Sequence, residues 1–472
     1  MGLDLRGSPR SNPSPGGAAN MKPISLHPDN PHYFLWREQP ALLITSAEHY
    51  GAVLNADFDY RSYVDCLARD GLNHTRIFTG AYCEPAGAFK ITGNTLAPAA
   101  GRLLCPWARS DEPGYANGGN RFDLSRWDEA YFQRLRDFVH CAGEAGVVVE
   151  VNLFCPFYRD EMWDLSPMKA DNNIQGEGQV ARDQVYTLDQ SGGLLAVQEN
   201  MTRKVATELR GYDNLFYEIM NEPYQGDVPM AWQERIVDVL VEAEASAGDP
   251  HLISLNVANR KAVVQDPHEA VSLFNFHYAW PPDAVPMNYG LNKPIGDNET
   301  GFSGQLDFTY RREAWAFLLA GGALYNHLDY CFAVGHEDGS FDYPETQPGG
   351  GSNELRQQLG TLSRFVHGFD FLRMSPMPTG TAAADGVAVF GLEQSGSQYA
   401  LYVCVQEDAR AVASVPLQLD LPAGQYDLQW LNTMTGDLSP VEALTHAGGS
   451  LRLVSPPFGE DLALRILSAK LE

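Results

Sequence analysis

Between residues 41 and 371 the chain alternates short apolar runs with amphipathic stretches, and this alternation constrains the fold more than any other feature. Strand-like runs fall at about 41–46, 73–79, 147–154, 215–222, 252–258, 271–278, 294–299 and 323–331. Segments of helical period stand between many of them: 60–70, 131–146, 194–211, 231–246, 310–322 and a closing one at 352–371. Several end on glycine, a helix stop signal. "VVVEVNLF" (147–154) is rich in β-branched residues, as expected of a parallel strand buried on both faces. Strands joined through helices pair in parallel. Eight such units predict a closed (β/α)8 TIM barrel rather than an open sheet. Ahead of the first unit, "YFLWREQPALLITS" (33–46) reads as two short strands around a turn at 37–40.

The pattern changes after "MSPMPTGTAAADG" (374–386). "VAVFGLEQ", "YALYVCVQ", "VPLQLDL", "YDLQWLN", "LRLVSPP" and "LALRIL" are short strands separated by Gly, Pro, Asp and Ser, with no helical run. They predict a small C-terminal antiparallel β-sandwich. The expected organisation is a tail over 1–20, a catalytic barrel over 21–373 and the sandwich over 374–472.

A formal net charge of −27 opposes binding to nucleic acid or to an anionic membrane surface, and suits a neutral ligand. No stretch is long and apolar enough to span a bilayer. The seven cysteines are scattered, without CxxC spacing, and the histidines lack metal-binding spacing. Neither a metal nor a cofactor is therefore expected. "MGLDLRGSPRSNPSPGGAAN" has no apolar core of a signal peptide, which points to a cytoplasmic chain unless an export signal was removed or replaced. Oligomeric state has no signature in the sequence.

In such a barrel the reactive groups stand at the C-terminal ends of the strands. A ring of polar residues falls there: Arg76, Asn152, Asn221, Glu222, His277, Tyr278, Glu299, Asn326, Asp329 and Tyr330. Desolvating so many polar groups without return would be costly. "NLFYEIMNEP" (214–223) delivers Asn221 and Glu222 to the end of strand 4, and Pro223 forbids continuation. Glu299 ends strand 7, three βα units later. Two carboxylates across one mouth are what glycoside hydrolysis requires, one giving a proton and the other attacking. Asp297 is the nearest rival nucleophile, with its side chain expected on the same side as that of Glu299 but deeper. Glu150 and Glu218, inside strands, are expected to pair within the barrel core.

An Asn-Glu-Pro at the end of strand 4 with a Glu at the end of strand 7 resembles the retaining glycoside hydrolases of clan A, the cellulase-like superfamily. The likeness covers roughly residues 31–372. It implies Glu222 as acid/base and Glu299 as nucleophile, with Asn221 on the sugar 2-hydroxyl and Arg76 holding the nucleophile ionised. His277 and Tyr278 resemble the strand-6 pair whose hydroxyl reaches the nucleophile. Many clan members carry Trp at the end of strand 8, where this chain has "YNHLDYCF" (325–332), so Tyr330 or Phe332 is expected as the stacking face. His49, in "SAEHYG", and Trp280 complete the expected sugar-binding set.

Two long insertions, 81–127 and 155–193, follow strands at the active face. Insertions of this length inside a compact domain are usually functional. Their aromatics, Trp107, Tyr158 and Trp163, suit sugar stacking. They predict a walled pocket and attack on chain ends. The expected function is retaining hydrolysis of β-glycosidic bonds in neutral oligo- or polysaccharides; the alternative is a non-catalytic carbohydrate-binding barrel.

Overall fold

The computed structural model describes residues 22–246, 248–377, 386–406 and 414–469; the expected tail over 1–20 lies outside them. At its centre is a parallel sheet of eight strands: β1 (Leu43–Ala47), β2 (His74–Phe78), β3 (Val148–Phe154), β4 (Leu215–Met220), β5 (Ile253–Asn259), β6 (Leu273–His277), β7 (Ile295–Thr300) and β8 (Leu324–Leu328). Pairing follows chain order from β2 to β8, and β8 returns to pair with β1. Asn73 closes the seam between β1 and β2. Its backbone N–H donates to Ile44 O at 3.2 Å, its Oδ1 accepts from the Ile44 N–H at 2.9 Å, and its Nδ2 donates to Leu42 O at 2.7 Å.

The long helices are α1 (Tyr60–Arg69), α2 (Glu129–Glu144), α3 (Leu194–Leu209), α4 (Met230–Glu244), α5 (Asp307–Leu319) and α6 (Asn353–His367). Side chains of Asp59, Asp128 and Ser352 cap α1, α2 and α6 by accepting from otherwise unpaired N–H groups of the first turn. In α2 the buried residues Tyr131, Phe132, Leu135, Phe138, Val139 and Ala142 recur at helical spacing and face the barrel. Burial of each larger apolar side chain is worth roughly 1.5–3 kcal/mol. The crossover from β5 to β6 has no helix, and that from β6 to β7 has only Ala284–Asn288 and a 3-10 turn.

The insertion over 81–127 is not a plain loop. It holds an antiparallel hairpin, Trp107–Pro113 with Asn120–Trp127, which packs on the second insertion. Gln175 joins the two: its Oε1 accepts from the Leu124 N–H at 3.0 Å and its Nε2 donates to Asp123 at 2.5 Å.

The C-terminal region is a six-stranded antiparallel sheet facing a two-stranded one, Pro416–Leu421 with Gly449–Val454. Strand "PLQLDL" alternates, with Leu417, Leu419 and Leu421 buried and the residues between them exposed. Glu442–His446 is an edge strand absent from the sequence reading, since most of its residues are exposed and it shows no apolar alternation. The sandwich docks on α5. Arg311 pairs with Asp461 at 2.9 Å and with Glu460 at 2.6 Å, and Trp315 stacks on Tyr402 with ring centroids 5.4 Å apart.

Candidate active site

Two layers of polar side chains fill the C-terminal half of the barrel. The lower one joins Arg76 (β2), Glu150 (β3), Glu218 (β4), Asn275 (β6) and Asn298 (β7), all fully buried. Arg76 pairs with Glu218. Asn275 Nδ2 lies 2.8 Å from both Glu150 Oε1 and Glu218 Oε2, and Asn298 Nδ2 lies 2.9 and 2.7 Å from the same oxygens. Burial pushes Glu218 up to about 7 against the pull of Arg76, and raises Glu150 as well. Two buried carboxyls this close favour retention of a proton between them. The expected core pairing of Glu150 and Glu218 is what the structure contains.

Above this layer lies the mouth. Glu222 ends β4 with φ 38° and ψ 51°, a left-handed conformation that is costly for a non-glycine residue. The turn re-aims its carboxylate across the opening. One carboxylate oxygen of Glu222, one of Glu299 and a ring nitrogen of His277 all lie within 4.8 Å of one another. His277 Nδ1 is 3.2 Å from Glu222 and 3.5 Å from Glu299. Burial alone would drive this imidazole neutral; the two carboxylates overcome it and raise its pKa to about 10. Burial also opposes charge on Glu299, but His277, Arg76 and Tyr278 together hold its carboxyl well below the usual range. It is an anion.

Each glutamate has its own tyrosines. Glu299 accepts from Tyr278 OH at 2.6 Å and from Tyr50 OH at 2.8 Å, while Arg76 Nη1 stands 3.6 Å from its Oε2. Glu222 accepts from Tyr158 OH at 2.8 Å and Tyr224 OH at 3.3 Å. A relay links the sides: Arg76 donates to Asn221 Oδ1 at 2.8 Å, and Asn221 Nδ2 donates to Tyr158 OH at 2.7 Å. Tyr50 and Tyr278, like Glu222, have positive φ, 60° and 52°. Three strained residues thus hold one carboxylate pair, a pattern typical of functional sites. Glu48 fixes the turn that carries Tyr50, accepting from the N–H groups of Gly51 and Ala52 at 2.9 Å each.

The glutamates open onto a pocket of about 300 Å³ whose walls include His49, Tyr82, Glu84, Phe89, Tyr158 and Phe302. That is the small end of the ~300–1,000 Å³ range of ligand sites. Glu222, Glu299 and His277 are spaced as metal ligands could be. The two carboxylates already accept from tyrosines, however, and Arg76 brings a second positive charge to Glu299, so the donor set suits proton sharing better than a cation.

The structure brings Arg76, Asn221, Glu222, His277, Tyr278, Glu299 and His49 to one place. The other three expected residues, Asn152, Tyr330 and Trp280, do not line the pocket. Asn152 is buried inside β3, and neither its Oδ1 nor its Nδ2 has a hydrogen-bond partner. Tyr330 is buried beside Phe302 and His49, with ring centroids 6.2 and 6.1 Å away, and lies near Glu299, but Phe302 rather than Tyr330 lines the pocket. Trp280 turns away altogether: it meets Phe390 of the sandwich at 6.0 Å, and the Arg312 guanidinium lies over its ring at 4.4 Å. Trp107 and Trp163 are buried in the insertions, leaving Tyr158 as the one of those three aromatics on the pocket. The side assigned to Asp297 is also corrected. The register shifts along β7, so Asn298 points into the barrel while Asp297 accepts from the Ala279 N–H at 3.3 Å and lies near Glu313 of α5.

Tyr50, Tyr224, Glu84, Phe89 and Phe302 escaped the sequence reading. Tyr50 and Tyr224 each lie within two residues of a named candidate, His49 and Glu222, and that adjacency was the available signal.

The closed eight-stranded barrel and the attached sandwich are similar in fold to solved glycoside hydrolases. Residues 64–278 match the family described as Cellulase (glycosyl hydrolase family 5), a span that includes Arg76, Glu222 and Tyr278 but stops before Glu299. Among solved structures, the chain is similar to a candidate glycoside hydrolase from Bacteroides vulgatus ATCC 8482, with TM-score 0.66 and 13% identity over 96% of this chain and 84% of that one. A glycoside hydrolase family 5 protein from the same organism gives TM-score 0.62 and 13% identity over 94% and 93%. A glycoside hydrolase family 30 subfamily 8 xylanase from Clostridium acetobutylicum gives 0.50 and 12% over 95% and 100%. No curated protein matches in sequence.

Proposed function

We propose that the chain is a retaining glycoside hydrolase that cleaves β-glycosidic bonds of neutral saccharides by double displacement. The observation that carries this reading is the approach of Glu222 and Glu299 to within 4.8 Å, oxygen to oxygen, over an aromatic pocket. A gap that small fits direct attack by a carboxylate, since inverting enzymes need room for a water, with carboxyls ~6.5–9.5 Å apart.

Glu299, held anionic, attacks the anomeric carbon as Glu222 gives its proton to the departing oxygen. The glycosyl ester then forms and the aglycone leaves as an alcohol. Glu222, now a carboxylate, takes a proton from water, and the resulting oxygen displaces Glu299. Tyr50 and Tyr278 keep the nucleophile oriented between steps; Arg76 and His277 supply the positive field. The enclosing walls favour a chain end over a mid-chain segment, and β-glucosides are the first substrates to try.

The test combines a panel of aryl β-glycosides with an activated 2-fluoro glycoside. Hydrolysis with retained anomeric configuration, and a glycosyl mass adduct on the peptide containing Glu299, are expected. An inverted product, or an adduct on another peptide, would overturn the assignment.

A further inference from the structure

Glu84 and His49 occupy one wall of the pocket and bond neither Glu222 nor Glu299. Both are buried, Glu84 at 4% exposure and His49 at 8%. Glu84 is held rigidly: Tyr82 OH donates to its Oε1 at 3.0 Å and Asn94 Nδ2 to its Oε2 at 2.6 Å. Asn94 is itself fixed, its Oδ1 accepting from the Leu96 N–H at 2.9 Å. Among the described residues no lysine or arginine pairs with Glu84. Its cationic-type neighbour is His49, whose Nε2 lies 4.0 Å from Glu84 Oε1.

That distance is too long for a hydrogen bond, yet one oxygen set to the side of the line joining the two atoms can lie about 2.8 Å from each. Burial lowers the pKa of His49, so the ring is neutral and offers one donor and one acceptor nitrogen. Its Nδ1 has no hydrogen-bond partner. A carboxylate buried without a cation needs donors, and a neutral imidazole beside it can give a proton to the same oxygen it faces. A hydroxyl meets both demands, donating to Glu84 while accepting from His49. A second carboxylate could accept from His49 but could not donate to Glu84, and its charge would repel that of Glu84.

Resting on the glycosidase reading above, we propose that Glu84 and His49 form a clamp for one free ring hydroxyl of the substrate's terminal sugar. The clamp selects neutral β-glycosides and rejects uronides and sugars substituted at that hydroxyl.

The experiment measures kcat/KM for the wild type, Glu84→Ala, Glu84→Gln and His49→Gln. Substrates are a nitrophenyl β-glycoside the wild type hydrolyses, its 3-, 4- and 6-deoxy analogues, and the matching β-uronide. A site built to bond a hydroxyl rejects the analogue lacking it by up to ~10⁴-fold, and at least about 10²-fold is expected here for one deoxy analogue. In Glu84→Ala and His49→Gln that ratio should fall towards one, because the parent loses activity and the analogue does not. Glu84→Gln should narrow the gap between uronide and parent. Thermal melts of Glu84→Gln and His49→Gln distinguish a lost contact from a lost fold. A wild type that distinguishes none of the analogues, or variants that keep the wild-type ratio, would overturn the clamp while leaving the glycosidase standing. A wild type inert on every glycoside would overturn the parent reading, and the clamp with it.

Discussion

The two polar layers of the barrel contain similar chemistry in different surroundings. Each has a pair of glutamates beside positive charge: Glu150 and Glu218 below, Glu222 and Glu299 above, with Arg76 in contact with Glu218 and near Glu299. The lower carboxyls accept from asparagine amides and are sealed from solvent; burial raises both, and they favour keeping a proton. The upper pair is held by tyrosine hydroxyls and His277, and opens onto the pocket. The hydrogen-bond donors and the access to ligand, rather than the carboxylates themselves, separate scaffold from chemistry.

Substitutions in the two layers should therefore diverge. Glu299→Gln removes the attacking oxygen anion and should lower kcat most, on the scale of ~10⁵–10⁶ seen when a covalent nucleophile is lost. Steady-state assays on an aryl glycoside would measure it, and retention of more than a few per cent of activity would erase the contrast. Glu222→Gln should follow, with ~10²–10⁴-fold loss on glycosides with poor leaving groups. Its loss on dinitrophenyl glycosides should be much smaller in the first step, since that leaving group needs little proton donation. Equal losses on both would move the proton donor elsewhere.

Tyr50→Phe deletes one charge-assisted hydrogen bond to Glu299, worth roughly 1.5–3 kcal/mol. A fall of about 10- to 100-fold in kcat/KM is expected. Losing that donor raises the pKa of Glu299, so the acid limb of the pH profile should move to higher pH; an unmoved limb would show that Tyr50 only fills space. The smallest kinetic effect belongs to Glu218→Gln, which sharpens the comparison through stability instead. Glu218 has a folded pKa of about 7 against an ordinary 4.5, so the folded state binds the extra proton between those values. Its contribution favours the fold at low pH and is lost as pH rises through that window. The Gln variant should flatten this part of the stability curve in denaturant titrations.

Much of this was legible in the chain. Parallel strands buried on both faces and helices with one apolar stripe announce themselves by composition and period, and all eight strands lie where the alternation put them. Glu222 was legible because Pro223 ends the run behind it. The failures have a common cause. Asn152 and Tyr330 sit at strand ends, but sequence does not show which wall covers them. Trp280 follows a site residue by two positions, yet its ring is claimed by Phe390, more than a hundred residues later in sequence. Asp297 was misplaced because a register shift breaks the two-residue alternation that strand reasoning relies on. Glu84 gave no signal: a carboxylate in a long insertion looks like any solvated loop charge until Asn94 and Tyr82 fold around it.

Trp280 leads to one more consequence. Its backbone N–H bonds Tyr278 O at 2.8 Å, and Tyr278 in turn donates to Glu299. The ring of Trp280 is covered by Phe390, while Arg312 spans from it to the carbonyl of Gln406 at 2.8 Å. The sandwich is thereby a splint for the active-site loop, and the gene has no clean cut point near residue 374. A barrel expressed alone would bare Trp315 and strip Arg311 of Asp461, so it should aggregate or, if kept soluble, turn over slowly with a near-normal KM for small substrates. Grafting the sandwich of a relative would restore activity only where an aromatic again meets Trp280. Domain shuffling, routine for tethered carbohydrate-binding modules, should fail for this pair unless the facing residues are exchanged together.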